Sequence, residues 1–242
     1  KKNAYIIMVH PSGWRNVDGV FKETQNALKH RQMLFLKMHG FKEGIETFGA
    51  QITYDYYIVK NIENNNHKTN IICTDGEECD FDISKLDFIP SENIIKIQSL
   101  IAKDNEERVS VLHSFSSYET RKPWMSKEKN DEFIYPCVYT IVKGGRVNYF
   151  WSNTDSKGHF GQPKVIWSNG SATIPIIDTN GDYGITQFSY AIIDDVENLD
   201  NIQKALSNEY FKSRIMLFKG LADIYNYKII ATFRKDFWKE FI

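Results

Sequence analysis

The chain has 242 residues, 42% of them hydrophobic and 14% aromatic, enough apolar material for one large domain or two small ones. Its formal net charge of −1 excludes binding to nucleic acid through bulk charge alone, so any such contact has to come from a local patch. Three cysteines without CxxC spacing argue against a disulfide scaffold and a zinc site and point to a reducing, intracellular setting, and no apolar run reaches the length of a membrane span.

The chain starts with Lys1-Lys2-Asn3, almost inside a strand and without an initiator Met, as expected of a fragment of a longer protein. Residues 4–10 (AYIIMVH) are nearly all apolar, which predicts a strand buried on both faces and ended by Pro11-Ser12-Gly13. A helix is expected over 18–31, with Asp18 as N-cap and Val20, Phe21, Thr24, Ala27 and Leu28 on its apolar face. A strand at 33–38, a loop holding Gly40, Gly44 and Gly49, and a strand at 54–60 follow. Strand, helix, strand, loop, strand describes one edge of an α/β sheet, with too few strands to close a doubly wound sheet alone.

Residues 61–68 are polar and read as a linker or hairpin tip. Short strands are expected over 69–90 and a helix over 92–104 with Ser91 as N-cap. The stretch 133–193 is β-rich, with turns at Gly144-Gly145, Asn169-Gly170 and Asn180-Gly181. A helical tail follows, over 198–207, 208–225 and 234–241. The fold class is therefore α+β: an α/β sheet edge in domain 1–62, then a β-rich domain with a helical tail in 63–242.

Generic catalytic motifs are absent. The calcium-loop start at Asp178 fails at Tyr183, where glycine is needed, and at Ser189, where glutamate is needed, so a tight turn is the better reading. The six histidines show no helical ligand spacing. Charge is more informative. Between 121 and 170 eight cations (Arg121, Lys122, Lys127, Lys129, Lys143, Arg146, Lys157, Lys164) face four anions. Asn148, Asn153, His159 and Gln162 sit among them and are able to read base edges. The alternative is a solvated loop face, and Lys164 enters an apolar strand where its stem could cover core.

Two stretches carry a family resemblance. Residues 4–61, with the strand running into Pro11-Ser12-Gly13-Trp14, then a helix, a strand, Phe48-Gly49 and a last strand, resemble the part of gamma-class N6-adenine DNA methyltransferases that follows the catalytic tetrapeptide. The run Gly158-His159-Phe160-Gly161-Gln162-Pro163-Lys164-Val165-Ile166 resembles the strand entry of the TaqI-like C-terminal specificity domain, and segments 183–188 and 233–238 fit that pattern more loosely. The family's Asn/Asp/Ser-Pro-Pro-Tyr/Phe signature and its glycine-rich S-adenosylmethionine loop do not occur in the chain.

The resemblance implies the target-recognition part of a site-specific adenine methyltransferase of a restriction–modification system, acting on double-stranded DNA. Its partner would be the missing N-terminal methyltransferase portion. S-adenosylmethionine would serve the parent enzyme, while this chain alone would neither bind it nor transfer methyl groups. Phe48 matches the family position that stacks on the extruded base. The rival readings are a stand-alone DNA-binding specificity module and a β-rich interaction domain with no nucleic-acid role.

Overall fold

A computed structural model describes residues 2–16, 20–142, 144–168, 174–215 and 227–242. They fall into two compact units, one built on residues 1–99 and one on 100–216 and 224–242, and both helices and sheets are present, an α+β composition.

In the first unit β1 (Tyr5–Pro11) leads through a short 3-10 turn, Ser12–Arg15, to α1 (Lys22–Lys29) and β2 (Arg31–His39). Helix α2 (Phe41–Phe48) and β3 (Tyr54–Glu63) follow, then β4 (Thr69–Ile72), β5 (Glu78–Phe81) and α3 (Ile94–Leu100). The sheet order is β1-β3-β2-β4-β5, with β3 antiparallel to both flanking strands and β4 parallel to β2. Because β4 and β5 join the same sheet, this unit continues past residue 62 to Ser99.

Three local expectations change. Strand β1 is an edge, and Tyr5 to Val9 are all exposed, so the apolar run is not buried on both faces. Helix α1 is shorter than expected and turned: it buries Gln25 and Lys29 and leaves Val20, Phe21 and Ala27 exposed. Gln25 donates to the carbonyls of Asn16 and Asp87, and Lys29 to that of Leu86, so hydrogen bonding satisfies these buried polar groups. Burial lowers the Lys29 pKa. Asp18, the expected N-cap, lies outside the described residues.

The loop expected to hold Gly40, Gly44 and Gly49 contains a helix. Three glycines in ten residues weigh against one by propensity, yet each has a local role here. Gly40 precedes α2 with its N–H donating to the Glu43 carboxylate at 3.1 Å, and Gly49 ends it in the left-handed region at φ 66°. Gly44 packs so close to the Ile52 carbonyl that a Cβ would lie 2.0 Å from it. Helix α3 is not capped by Ser91. Asp75 accepts the N–H of Asn93 and Glu77 that of Ile94, at 3.0 and 2.8 Å.

The second unit holds β6 (Ser110–Leu112), β7 (Met125–Ser126), β8 (Tyr135–Ile141), β9 (Val147–Ser152), β10 (Lys164–Ser168), β11 (Ile176–Asp178), β12 (Gly184–Ile185) and β13 (Ser189–Ile193). They form two four-stranded sheets, β11-β10-β13-β6 and β12-β8-β9-β7. Val138 and Ile141 of one pack with Ile166 and Ala191 of the other. The β8–β9 hairpin turns at Gly144-Gly145, both at positive φ, while Asn169-Gly170 lies outside the described residues.

Part of the expected helical tail, residues 216–226, lies outside the described residues. Helix α4 (Leu199–Ser207) is where it was expected. Of 208–225, residues 208–215 are described and run helically from 209 into a π-turn at Phe211–Ile215, and 234–241 contains a 3-10 turn at Phe237–Glu240. Among the described residues no helix is long and apolar enough to cross a membrane.

Candidate nucleic-acid interface

The first candidate feature lies at the rim of the first unit's sheet. Tyr54 opens β3 and faces Pro11 of β1 on one side and His39 of β2 on the other. It therefore marks the rim at which β1 and β2 end and β3 begins. Its ring stacks flat on His39, centroids 4.4 Å apart and planes 5° apart, and its hydroxyl is 3.1 Å from Thr47 Oγ1. Burial, then Lys37, lowers the His39 pKa and favours a neutral imidazole in the stack.

Phe48, the last residue of α2, meets Tyr54 edge to face at 5.0 Å and 83°, and half of it is exposed. The ring is thus held on one side by Tyr54 and open to water on the other.

The Pro11-Ser12-Gly13-Trp14 turn beside this rim is held from beneath. Trp14 is fully buried and donates Nε1–H to Asp55 Oδ2 at 2.8 Å, and Arg15 Nε donates to the same oxygen at 2.9 Å. Arg15 also donates to the Ile89 carbonyl and to Ser91 Oγ. Burial pushes the Asp55 carboxyl up, against the opposing pull of Arg15. The tryptophan of the motif therefore serves packing, and the Arg15–Asp55 pair fixes where the turn leaves the sheet.

In the second unit the cations fall into two groups. Lys157 Nζ lies 4.0 Å from the Trp124 ring centroid, and Lys122 Nζ lies 5.8 Å from the same ring. Trp124 Nε1–H donates to the Ser117 carbonyl at 2.8 Å, which fixes the ring. Lys129 Nζ sits 5.0 Å over Trp151 of β9. Arg121 is exposed and paired with Glu119 at 2.6 Å, and Lys127 and Arg146 are exposed. Lys143 lies outside the described residues. Gln162 is half-buried, with its amide donating to the Gly158 carbonyl at 3.0 Å.

Two expected contact residues are not on the surface. Lys164 is completely buried and forms an ion pair of 2.6 Å with Asp178. Burial lowers its pKa, with Asp178 opposing the shift. The Asp178 carboxylate also takes the N–H groups of Asp182 and Tyr183, so this pair builds the 178–183 turn and leaves no calcium loop. His159 is 2% exposed, and its Nδ1 lies 3.1 Å from the Ile185 carbonyl and 3.3 Å from the Ile185 N–H. Burial drives its pKa down to about 4. Neither side chain is presented to a groove or phosphate, because each is spent on joining segments of the second unit.

Sequence reasoning missed the aromatic partners. Trp124 and Trp151 carry three of the lysines, and the interleaving of cations with tryptophan over 121–151 was the available signal. A separate cleft of about 490 Å³ is walled by Phe115, Tyr139, Phe188 and Arg121, with Gln187 tied to Thr120 at its base. In the first unit the Cys73 Sγ and carboxylate oxygens of Asp75 and Glu77 lie within 4.8 Å of one another. Both carboxylates are occupied by backbone N–H groups at the start of α3, and burial pushes the Cys73 thiol up to about 12, so the group is a capping arrangement. A comparison with protein-family models finds no match, and neither does a comparison with curated proteins.

Proposed function

We propose that the chain is the target-recognition part of a site-specific adenine-N6 DNA methyltransferase of a restriction–modification system, carrying with it the last strands of the catalytic sheet. The observation that carries this reading is Phe48. It stands half exposed at the carboxyl ends of β1 and β2, near the Pro11–Trp14 turn, on a rigid Tyr54–His39 stack. A base extruded from a duplex loses its stacking partners, and a fixed aromatic ring restores one.

The second unit adds what duplex binding needs. Lys122, Lys157 and Lys129 are arranged over tryptophans, and Arg121, Lys127 and Arg146 are exposed beside the same strands. Such cations supply register through phosphates and leave sequence choice to nearby polar groups such as Asn148, Asn153 and Gln162. In this reading the methyl donor is held by the portion upstream of β1. The chain contains neither a glycine-rich loop nor the catalytic tetrapeptide, so no step of methyl transfer is assigned to its residues.

Duplex binding measured at several salt concentrations tests the proposal. Lys157→Ala and Arg146→Ala should each reduce the slope of log affinity against log salt by about one unit and leave discrimination between sequences unchanged. A chain that binds no duplex at low salt, or whose binding ignores all these cations, refutes it.

A further inference from the structure

The cleft of about 490 Å³ in the second unit combines flat apolar walls with fixed polar groups. Its volume lies within the roughly 300–1,000 Å³ of sites that hold small ligands. Phe115, Tyr139 and Phe188 wall it, and two of them face water, Phe115 at 68% and Phe188 at 38% exposure. Each exposed ring is anchored by a neighbour. Phe188 meets Tyr139 edge to face at 5.3 Å and 83°, and Phe115 meets His113 at 4.4 Å and 86°. The backbone that carries them is tied as well. Ser189 Oγ donates to the Tyr139 carbonyl at 3.1 Å, and Ser114 Oγ accepts the N–H groups of Ser116 and Ser117. Exposed rings gathered in one concavity, instead of scattered singly, mark a contact surface.

The polar groups of the cleft are held just as firmly. Gln187 Oε1 accepts the Thr120 N–H at 3.1 Å, and its Nε2 donates to Thr120 Oγ1 at 3.0 Å. A backbone N–H can only donate, so the amide has one orientation, with one N–H and one oxygen lone pair unspent. Arg121 Nε donates to Glu119 at 2.6 Å, and the arginine side chain is 89% exposed. Among the described residues its Nη groups have no other partner, which leaves them for an anion. Lys122, the next residue, shares the Trp124 ring with Lys157, so the cations continue along the chain from the wall of the cleft.

We propose that the cleft binds one unpaired nucleotide of a nucleic-acid strand, with its base against the aromatic walls and its phosphate against Arg121. Three features select this ligand. The walls are flat and apolar, as the face of a base is. The Gln187 amide offers the donor and the acceptor that a base edge requires. Arg121, Lys122 and Lys157 supply the positive charge that the adjoining phosphates need. An apolar peptide side chain would use the walls alone and leave the spare amide and guanidinium donors idle. The base has to be unpaired, since within a duplex both of its faces are covered by neighbouring bases. Such binding goes beyond duplex recognition and needs neither Phe48 nor methyl transfer.

The probe is a single-stranded deoxythymidine oligomer of about eight nucleotides, carrying one 5-iododeoxyuridine for photocrosslinking. It should bind the 242-residue chain at low salt, and the crosslink should map to Phe115, Tyr139 or Phe188. Phe115→Ala should weaken binding by roughly 5- to 150-fold, the loss expected for one stacked ring. It should shift thermal unfolding by less than about 2 °C, because the ring is mostly exposed. Phe115→Tyr, which keeps the ring, should stay within about threefold of the parent. Arg121→Gln should flatten the dependence of log affinity on log salt by about 0.7 unit, the share of one phosphate on a single strand. Phe48→Ala should leave this binding unchanged. The proposal is overturned by an oligomer that does not bind, by binding indifferent to both Phe115→Ala and Phe188→Ala, or by crosslinks that map only elsewhere in the chain. Phe115-dependent binding of the single strand by a chain that binds no duplex upholds the cleft and refutes the methyltransferase reading. Duplex binding without any Phe115-dependent binding of the single strand does the reverse.

Discussion

Lys164 offers the sharpest separation between a structural and a DNA-binding role. Its ammonium meets Asp178 Oδ2 at 2.6 Å and the Gln162 carbonyl at 3.1 Å, and both charged side chains are at most 1% exposed. Lys164→Ala removes the cation and leaves a buried carboxylate with two backbone N–H donors, from Asp182 and Tyr183. Breaking a buried pair on one side costs roughly 3–5 kcal/mol, and the remaining donors place the expected loss at the lower end. With a urea dependence of about 2 kcal/mol per molar, the midpoint should fall by about 1.5 M. The double variant Lys164→Met/Asp178→Asn should recover much of this, giving a coupling energy of at least about 2 kcal/mol in the cycle. The salt slope of DNA binding should be unchanged under conditions where the variant is folded. A stability loss below about 1 kcal/mol would refute the buried-pair argument, and a slope reduced by about one unit would show that Lys164 reaches phosphate.

Three further outcomes are expected. His159 has a folded pKa of about 4 against 6.5 unfolded, so the unfolded chain binds the extra proton. Its contribution is full above about pH 6.5 and is lost towards pH 4, about 3 kcal/mol in all; His113 shifts in the same direction, so urea melts of His159→Gln against the parent isolate the effect, and equal pH slopes would sink it. Phe48→Ala should cost only about 1 kcal/mol, because half the ring is already in water, yet it should lower the fluorescence of 2-aminopurine at the target position in the complete enzyme; an unchanged signal returns Phe48 to a packing role. Gly181→Ala should cost more than about 2 kcal/mol, since φ is +75° and the Cβ would lie 2.2 Å from the Gln162 nitrogen, whereas Gly145→Ala, with open space around it, should cost about 1 kcal/mol by thermal melting.

The apolar runs and turn residues of the sequence placed β1, β2 and β3 to within a few residues and made Gly144-Gly145 a hairpin tip, because these are local matters of side-chain pattern and backbone freedom. The resemblance singled out Phe48, and its half exposure was the one property of that residue the sequence could not supply. What lay beyond local pattern was decided by tertiary structure. An apolar run reads the same in a central strand and at a bare edge, so only the sheet order revealed that Tyr5–Val9 are uncovered. Helix α2 formed around its glycines because Gly49 supplies a left-handed exit and only a glycine fits at Gly44, where the Ile52 carbonyl packs too close for a Cβ. The cation excess over 121–170 counted Lys164 with Lys157, although one is neutralised inside the fold by Asp178 and the other rests on Trp124. Charge is written in the sequence, but whether it faces water depends on which distant residue folds against it.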